Sequence, residues 1–407
     1  MSGCQVDAHQ VGSITAFDSA GVRIVKMGGL LEGLPEPAVV ESHDLHIGVI
    51  EGPEEYTFGD LADVRTLAGG DIVVADRTSL SLRVFDSEGR FLTDVGRPGS
   101  GPGEFNSVAI AGVDLSGIWV WDVWLQRLTR LDLGLEVVEE RALRELGIGP
   151  ITEVRMLPDG SGLARIRYSG SGSFEPEPTP LALVTDSLAI VRFQDSERVD
   201  TILVAVAEQQ VHEAWRDAEG SIQGYGTLLP FGAVTLWLPE ADGGVTAARS
   251  DRFELVRRDH SGGVTQISRL ARSTRPLDPT QVSEMRDAHL AIAAGQPELL
   301  RAVHRSFEPT VLPRTMPVLH DLLVDSQGAV WVGLSPPFPE ASSREWIILD
   351  EARLPMGRIE VGPDFRVTEV GADYLLGVQT DSLGAQHVRR YPFRWVESER
   401  GSLREGQ

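Results

Sequence analysis

The chain contains very little cysteine, lysine and asparagine. Its 407 residues include one cysteine, Cys4, so no internal disulfide can form. Lys26 is the one lysine and Asn106 the one asparagine, and arginine carries nearly all of the positive charge. No run of about 18 apolar residues occurs, which predicts that no helical segment spans a membrane.

Positive charge is also scarce relative to negative charge. The sequence has 37 Lys and Arg residues against 60 Asp and Glu residues, a formal net charge of −23 at pH 7. Such a chain would be repelled by phosphate groups, so nucleic acid is not expected as a partner. An acidic, soluble surface is the simplest interpretation, and steering of a cationic ligand is the alternative.

Short β-strands are the main structural signal that the sequence does contain. Between Asp71 and Phe105, three apolar runs rich in Val, Ile and Phe are separated by turn residues, a pattern typical of consecutive antiparallel strands. The turn Asp86-Ser-Glu-Gly89 suits a hairpin, because Asp can accept a bond from the backbone two residues on and Gly tolerates a positive φ. The loop Gly96 to Gly103 is too rich in Gly and Pro to be regular structure.

This pattern recurs at a fixed spacing. Asp122 follows Asp76 by 46 residues, and Asp132 follows Asp86 by the same 46. A period in the mid-forties with about four strands per unit is the spacing of a β-propeller blade.

The repeated motifs are similar to those of a known family. The segments Val74-Ala-Asp76, Arg83-Val-Phe-Asp86, Gly89 and Gly101-Pro-Gly-Glu-Phe105 resemble the NHL-type repeat of six-bladed propellers. They resemble more closely the bacterial extracytoplasmic six-bladed β-propeller proteins. The resemblance covers residues 57–135 and implies an all-β, six-bladed propeller with N-to-C ring closure. It implies no particular function, because propellers include binders, hydrolases, lyases and scaffolds.

The rest of the chain can be divided on the same rhythm. We predict a tether at 1–12, a propeller at 13–397 and a disordered tail at 398–407. The predicted blades are 60–100, 105–146, 150–207, 228–271, 316–361 and 364–396. A helical insertion at about 278–310 interrupts them, because Asp278-Pro279 can begin a helix. The last blade has three clear strands, and its fourth would come from the N-terminal segment near 13–26 or 45–50.

The N-terminus indicates a location. Met1-Ser-Gly-Cys4 resembles the end of a bacterial lipoprotein signal, in which small residues precede the cysteine that becomes lipidated. This resemblance implies an extracytoplasmic protein, periplasmic or membrane-anchored, whose one membrane contact is a lipid anchor at Cys4. The alternative is an incidental cysteine in a disordered tail.

Linear motifs for catalysis are missing. The sequence has no Gly-x-Ser-x-Gly elbow, no His-Glu-x-x-His pair and no Walker loop. Gluconolactonase-like and paraoxonase-like propellers bind calcium with Glu, Asp and two Asn, a set that a chain with a single asparagine does not complete. Amidating lyases use a histidine-bound zinc. The histidines that could supply such ligands, none of them paired at a metal spacing, are His212, His260, His320 and His387.

Four residues are the candidates for ligand binding at the mouth of the central channel. Arg97 and Glu104 flank the Gly-Pro loop, where they could bond across blades or meet a ligand, and the demanding backbone of the loop favours the structural role. His320 and Asp321 begin a blade, and the first strand of a blade lines the channel. No cofactor is predicted, with Ca²⁺ or Zn²⁺ in the channel as the alternative.

The sequence therefore predicts a monomeric, noncatalytic binding or interaction protein with an unidentified protein or small-molecule ligand. The first alternative is a channel-mouth enzyme of lactonase or lyase type. The second is a scaffold that presents the helices of 279–304 to a partner.

Overall fold

The protein was analysed as a computed structural model, which describes residues 14–28, 33–39, 42–168, 181–195, 197–271, 274–334 and 343–395. The predicted tether, the predicted tail and Cys4 lie outside these ranges. The strands, in chain order, are β1 (Ile14–Ser19), β2 (Val22–Met27), β3 (Ala38–Val39), β4 (Leu45–Ile47), β5 (Leu61–Thr66), β6 (Ile72–Asp76), β7 (Ser81–Phe85), β8 (Phe91–Val95), β9 (Ala109–Asp114), β10 (Gly117–Asp122), β11 (Arg127–Leu131), β12 (Val137–Ala142), β13 (Ile151–Met156), β14 (Gly162–Tyr168), β15 (Ala182–Gln194), β16 (Glu197–Arg216), β17 (Ile222–Leu228), β18 (Thr235–Pro239), β19 (Val245–Arg249), β20 (Glu254–Arg258), β21 (Val264–Leu270), β22 (Leu319–Val324), β23 (Val330–Leu334), β24 (Arg344–Leu349), β25 (Pro355–Val361), β26 (Phe365–Val370), β27 (Tyr374–Thr380) and β28 (Gln386–Arg394). The α-helices are α1 (Pro279–Ile292) and α2 (Pro297–Ser306).

Within these ranges the strands form six sheets, and each sheet is one blade of a six-bladed β-propeller. From β5 onward, the chain enters each blade at its innermost strand and moves outward through antiparallel neighbours. The inner strands β5, β9, β13, β18, β22 and β26 surround the central channel. After four antiparallel strands the chain is back at the end of the ring where the inner strand began. We call this end the entry end, because all inner strands begin there.

The core lies between neighbouring blades, as the alternation of the strands requires. Val73 and Leu82 of the first blade, for example, pack against Phe105, Ile118 and Leu131 of the second, all of them fully buried or nearly so. Successive blades repeat this arrangement around the ring, so the predicted fold is confirmed.

The N-terminal segment contributes to two different blades. β4 pairs with β28, with Ile47 opposite Val388, and it supplies the fourth strand of the last blade; β3 pairs with the end of β28. Of the two predicted donors of that strand, the segment 45–50 is therefore the one used. The hairpin of β1 and β2 joins the fourth blade instead, where β2 lies parallel to β21.

The third blade is longer than the sequence predicts. The expected blade ends at residue 207, but β16 continues to Arg216 and returns as β17. The first half of β15 pairs with the second half of β16, which pairs with β17, so a small sheet extends beyond the blade. The extended part of the third blade leads directly to β18, the next inner strand. Because β18 begins at the entry end, the extension stands at that end of the ring.

The helical insertion lies at the same end, between β21 and β22. The Asp278 side chain accepts a bond from the Thr280 amide at 2.7 Å, which caps α1 as the sequence predicts. The apolar faces of both helices pack on one another and on Phe231. α2 contacts β17, and Glu213 of β16 forms ion pairs with Arg301 and Arg305 of α2 at 3.1 and 2.7 Å. We call the extension of the third blade together with α1 and α2 the cap.

Candidate functional site

Three inner strands begin in the same irregular way. In each of them the register with the second strand of the blade shifts by one residue, which is a β-bulge. The bulge lies between a fully buried apolar residue and an acidic residue two positions later. These pairs are Leu61 and Asp63 in β5, Ile151 and Glu153 in β13, and Leu319 and Asp321 in β22. A β-bulge re-aims the side chain that follows it. The bulges therefore let the apolar residue pack between blades while the carboxylate faces the channel.

The three carboxylates belong to alternate blades, and two of them have an arginine on their own strand. Arg65 lies 3.1 Å from Asp63, and Arg155 lies 2.8 Å from Glu153. Leu323 stands at the matching position of the third strand. Asp321 is therefore the carboxylate of this set without an arginine beside it on the strand.

These residues line a cavity of about 420 Å³ at the entry end, which we call the channel-mouth cavity. One part of its wall is charged and consists of Arg65, Arg155, Arg165, Arg366, Asp63, Glu153, Glu208 and Asp321. Another part is apolar and consists of Leu228, Val234, Leu236, Trp237, Leu322 and Leu323. The four arginines and four carboxylates balance formally, so the cavity is rich in charge without a large net charge.

The cap contributes to this cavity. Glu208 and Leu228 come from β16 and β17, and Glu208 forms an ion pair with Arg165 of β14. A chain of polar contacts continues from there onto the cap. Arg167 donates to Asp186 at 2.6 Å, Gln210 donates to the same carboxylate at 2.7 Å, and the Gln210 carbonyl lies 2.9 Å from Nε2 of His212. The extended third blade thus forms one side of the cavity.

Arg155 is influenced by all three acidic side chains. Burial acts to lower the pKa of its guanidinium, but the carboxylates of Glu153, Asp63 and Asp321 outweigh burial and raise it. All three channel carboxylates are therefore within electrostatic reach of this one side chain. The Arg155 side chain as a whole is 36% exposed, and it lines the cavity.

Asp321 is an acid of the cavity whose pKa is raised. Burial raises its pKa to about 6, although the Leu322 amide and the guanidinium groups of Arg155, Arg366 and Arg65 act to lower it. The Leu322 amide donates to Oδ1 at 2.8 Å, and the Val64 amide donates to Oδ1 of Asp63 in the same way at 2.9 Å. A raised carboxyl pKa within a cavity indicates a functional position.

The variant Asp321→Asn is expected to be more stable than the parent protein at about pH 8, with a smaller difference at about pH 4. Because the folded-state pKa is raised, the folded protein binds more protons than the unfolded chain between about pH 4 and 6, and stability falls as pH rises through that window. At about 1.36 kcal/mol per pKa unit, the gain is on the order of 1–3 kcal/mol. Urea denaturation at both pH values measures it.

The control for this experiment is Asp18→Asn on the exposed strand β1, which should change stability by less than about 0.5 kcal/mol at either pH. An Asp321→Asn gain of equal size at both pH values, or a loss, would contradict the prediction.

The four sequence candidates do not meet at one place. Asp321 lines the channel-mouth cavity, whereas His320 is not among its lining residues and packs on the Trp346 ring at 5.5 Å between centroids. Arg97 donates to Oε1 of Glu104 at 2.9 and 2.8 Å, and the Gly101 amide donates to Oε2 at 2.8 Å. Gly101, with Arg97, lowers the pKa of Glu104. A role for any of them in binding stays a prediction.

Sequence reasoning missed most of the cavity. Asp63, Glu153 and Arg155 were not candidates, although Asp63-x-Arg65 and Glu153-x-Arg155 repeat the same spacing at the start of two inner strands. That repeat was a usable signal. No sequence signal indicated Arg366 or Glu208. Closure of the ring brings β26 to the cavity, and the cap brings β16 to it.

Among the described residues, no three His, Cys, Asp or Glu side chains converge in an arrangement that could hold a metal ion. No helix in the same part of the chain is long and apolar enough to cross a membrane.

Comparisons with known proteins agree with the fold. A family model described as a 6-bladed beta-propeller matches residues 49–146. These residues include β5 to β12, which are the strands of the first two blades. No curated protein shows significant similarity to the chain.

Three solved structures illustrate the structural similarity. A Bacteroides fragilis protein described as exported is 11% identical, with 90% of this chain and 99% of that one covered and a TM-score of 0.46. Virginiamycin B lyase from Staphylococcus aureus is 9% identical, with 88% and 99% covered and a TM-score of 0.40. A calcium-binding protein, regucalcin, from Agrobacterium tumefaciens is 14% identical, with 88% and 98% covered and a TM-score of 0.36. We assign no ligand or activity from them.

Proposed function

We propose that this chain is a noncatalytic, extracytoplasmic binding protein on an NHL-like propeller scaffold, and that it holds a small molecule in the channel-mouth cavity. The observation that carries the proposal is the repeated bulge, which brings Asp63, Glu153 and Asp321 from alternate blades around Arg155. The cap supports it, because Glu208 and Leu228 close one side of the same cavity. The segment Ser2-Gly-Cys4, which resembles a lipidation motif, supports the proposed location.

Stability alone does not account for this group of charges. Buried or half-buried ion pairs are often no more stabilising than apolar residues of the same size. An apolar plug would fill a propeller channel at no desolvation cost, yet this channel mouth retains eight charged side chains and open volume. Ligand recognition is a physical reason to keep both.

Thermal unfolding in the presence of a library of organic acids, sugars, amines, nucleotides and short peptides tests the proposal. At least one class should raise the unfolding temperature of the parent protein. The variant Ala62→Trp, which places an indole in the cavity, should lose that shift. The control Ala288→Trp, on the exposed side of α1, should keep it. A library without any hit, or a shift that Ala62→Trp retains, would refute the proposal.

The second candidate function is an enzyme at the channel mouth, and the raised pKa of Asp321 favours it. A carboxyl group with a pKa of about 6 is suited to general acid–base catalysis near neutral pH. Turnover of lactone or amide substrates that Asp321→Asn abolishes, while the asparagine variant still binds the substrate, would establish the enzyme and exclude the noncatalytic reading.

A further inference from the structure

The channel-mouth cavity contains a guanidinium group, that of Arg155, with spare hydrogen-bond donors. A guanidinium has five N–H donors. Among the described residues, Glu153 is the one ion-pairing partner of Arg155, and the side chain is partly accessible within the cavity. Arg155 therefore presents unused donors to whatever occupies the cavity.

Two of the carboxylates near Arg155, Asp63 and Glu153, are engaged through both oxygens, whereas Asp321 accepts from the Leu322 amide through Oδ1. Asp63 accepts from the Val64 amide through one oxygen and from Arg65 through the other. Glu153 contacts Arg155 through Oε1 and accepts from Nε1 of Trp237 at 3.0 Å through Oε2. An occupant that supplies acceptor oxygens would use the spare donors of Arg155.

The rest of the wall indicates what the remainder of the occupant is made of. Val234 directly precedes β18, Leu236 and Trp237 belong to it, and Leu322 and Leu323 come from β22, so two neighbouring blades form one apolar surface. A ligand that touches both parts of the wall needs an anionic head and an apolar body.

We propose that the channel-mouth cavity binds a small organic carboxylate, whose carboxylate group pairs with Arg155 and whose alkyl or aryl body lies on the apolar wall. This inference rests on the proposed function and names its ligand class. A guanidinium and a carboxylate form parallel, charge-assisted hydrogen bonds, which makes the pair both strong and directional.

Asp321 makes this binding dependent on pH. The charged groups within electrostatic reach of it are Arg155 of β13, Arg366 of β26, Arg65 of β5 and Arg344 of β24. When Asp321 is ionised it repels a bound carboxylate, and when it is protonated it can donate to one. Affinity should therefore fall as pH rises through about 6.

Calorimetric titration with three compounds of the same size tests the inference: 3-phenylpropionate, its neutral amide and the cation 3-phenylpropylamine. We expect the carboxylate to bind tightest, with weaker binding at about pH 8 than at about pH 5.5. Arg155→Gln should weaken it by roughly tenfold or more, the range of a charge-assisted hydrogen bond. Asp321→Asn should bind it equally well at both pH values. The control Arg90→Gln, in the exposed turn before β8 at the opposite end of the ring, should bind like the parent.

Equal or tighter binding of the amide or the amine would overturn the carboxylate assignment and leave the binding function in place. Unchanged carboxylate affinity in Arg155→Gln, with its fold verified by circular dichroism, would also overturn the assignment. Absence of carboxylate binding at about pH 5.5 would overturn it too, and the library experiment then decides separately whether the cavity binds any small molecule.

Discussion

Replacing Ile47 with aspartate is expected to unfold the protein. Ile47 is 1% exposed in β4, opposite Val388, and it packs between the last blade and the first. An unpaired carboxylate there costs several kcal/mol, a large share of the about 5–15 kcal/mol that holds a typical domain together. The milder variant Ile47→Ala should lose about 2–5 kcal/mol. Urea denaturation followed by tryptophan fluorescence measures both.

The matched control lies on the other N-terminal strand. Ile14 of β1 is 47% exposed, so Ile14→Ala and Ile14→Asp should change the free energy of unfolding by less than about 0.5 kcal/mol. The contrast tests which N-terminal segment stabilises the ring. If Ile14→Ala destabilises as much as Ile47→Ala, the pairing of β4 with β28 is not what holds the first and last blades together.

Replacing Asp122 with alanine is expected to cost at least about 3 kcal/mol. This carboxylate is fully buried and accepts four backbone N–H bonds. Oδ2 accepts from Asn106 at 2.7 Å and Ser107 at 3.2 Å, and Oδ1 accepts from Trp124 and Leu125 at 2.9 Å each. Alanine would leave these donors buried and unpaired, at about 1–3 kcal/mol for each one that water cannot reach.

Two further variants separate this role from a general effect of aspartate. Asp122→Asn keeps one acceptor oxygen and should lose less than Asp122→Ala. Asp132 belongs to the same blade and the same 46-residue repeat, but it is partly exposed and accepts from the Glu136 amide in an ordinary turn. Asp132→Ala should cost less than about 1 kcal/mol. Equal losses at Asp122 and Asp132 would contradict the argument.

The 46-residue repeat was informative because it has a physical cause. In the first blade Asp76 accepts from the backbone amides of Asp60 and Thr78, and Asp122 makes the equivalent contacts in the second. Each ties the segment that enters the inner strand to the turn at the end of the second strand. A carboxylate is needed at that point of the blade, so its spacing could be read directly from the chain.

The candidate site was predictable only in part. Asp321 was identified, because it begins an inner strand and inner strands line the channel. Arg155 was not, since its importance comes from the carboxylates of β5 and β22, which lie far from it in sequence. The Arg97–Glu104 pair differs from Arg155, because its contacts lie mainly within its own loop and do not depend on distant strands.

The amino-acid sequence by itself determined the propeller, the approximate bounds of its blades and the helices between the fourth and fifth blades. These depend on strand alternation, turn residues and capping, which act over a few residues. The tertiary structure alone decided that β4 rather than β2 completes the last blade, that β15 to β17 extend into a cap, and that eight charged side chains meet at the channel mouth. Closure of a ring brings together residues hundreds of positions apart, and no local pattern in the chain encodes that proximity.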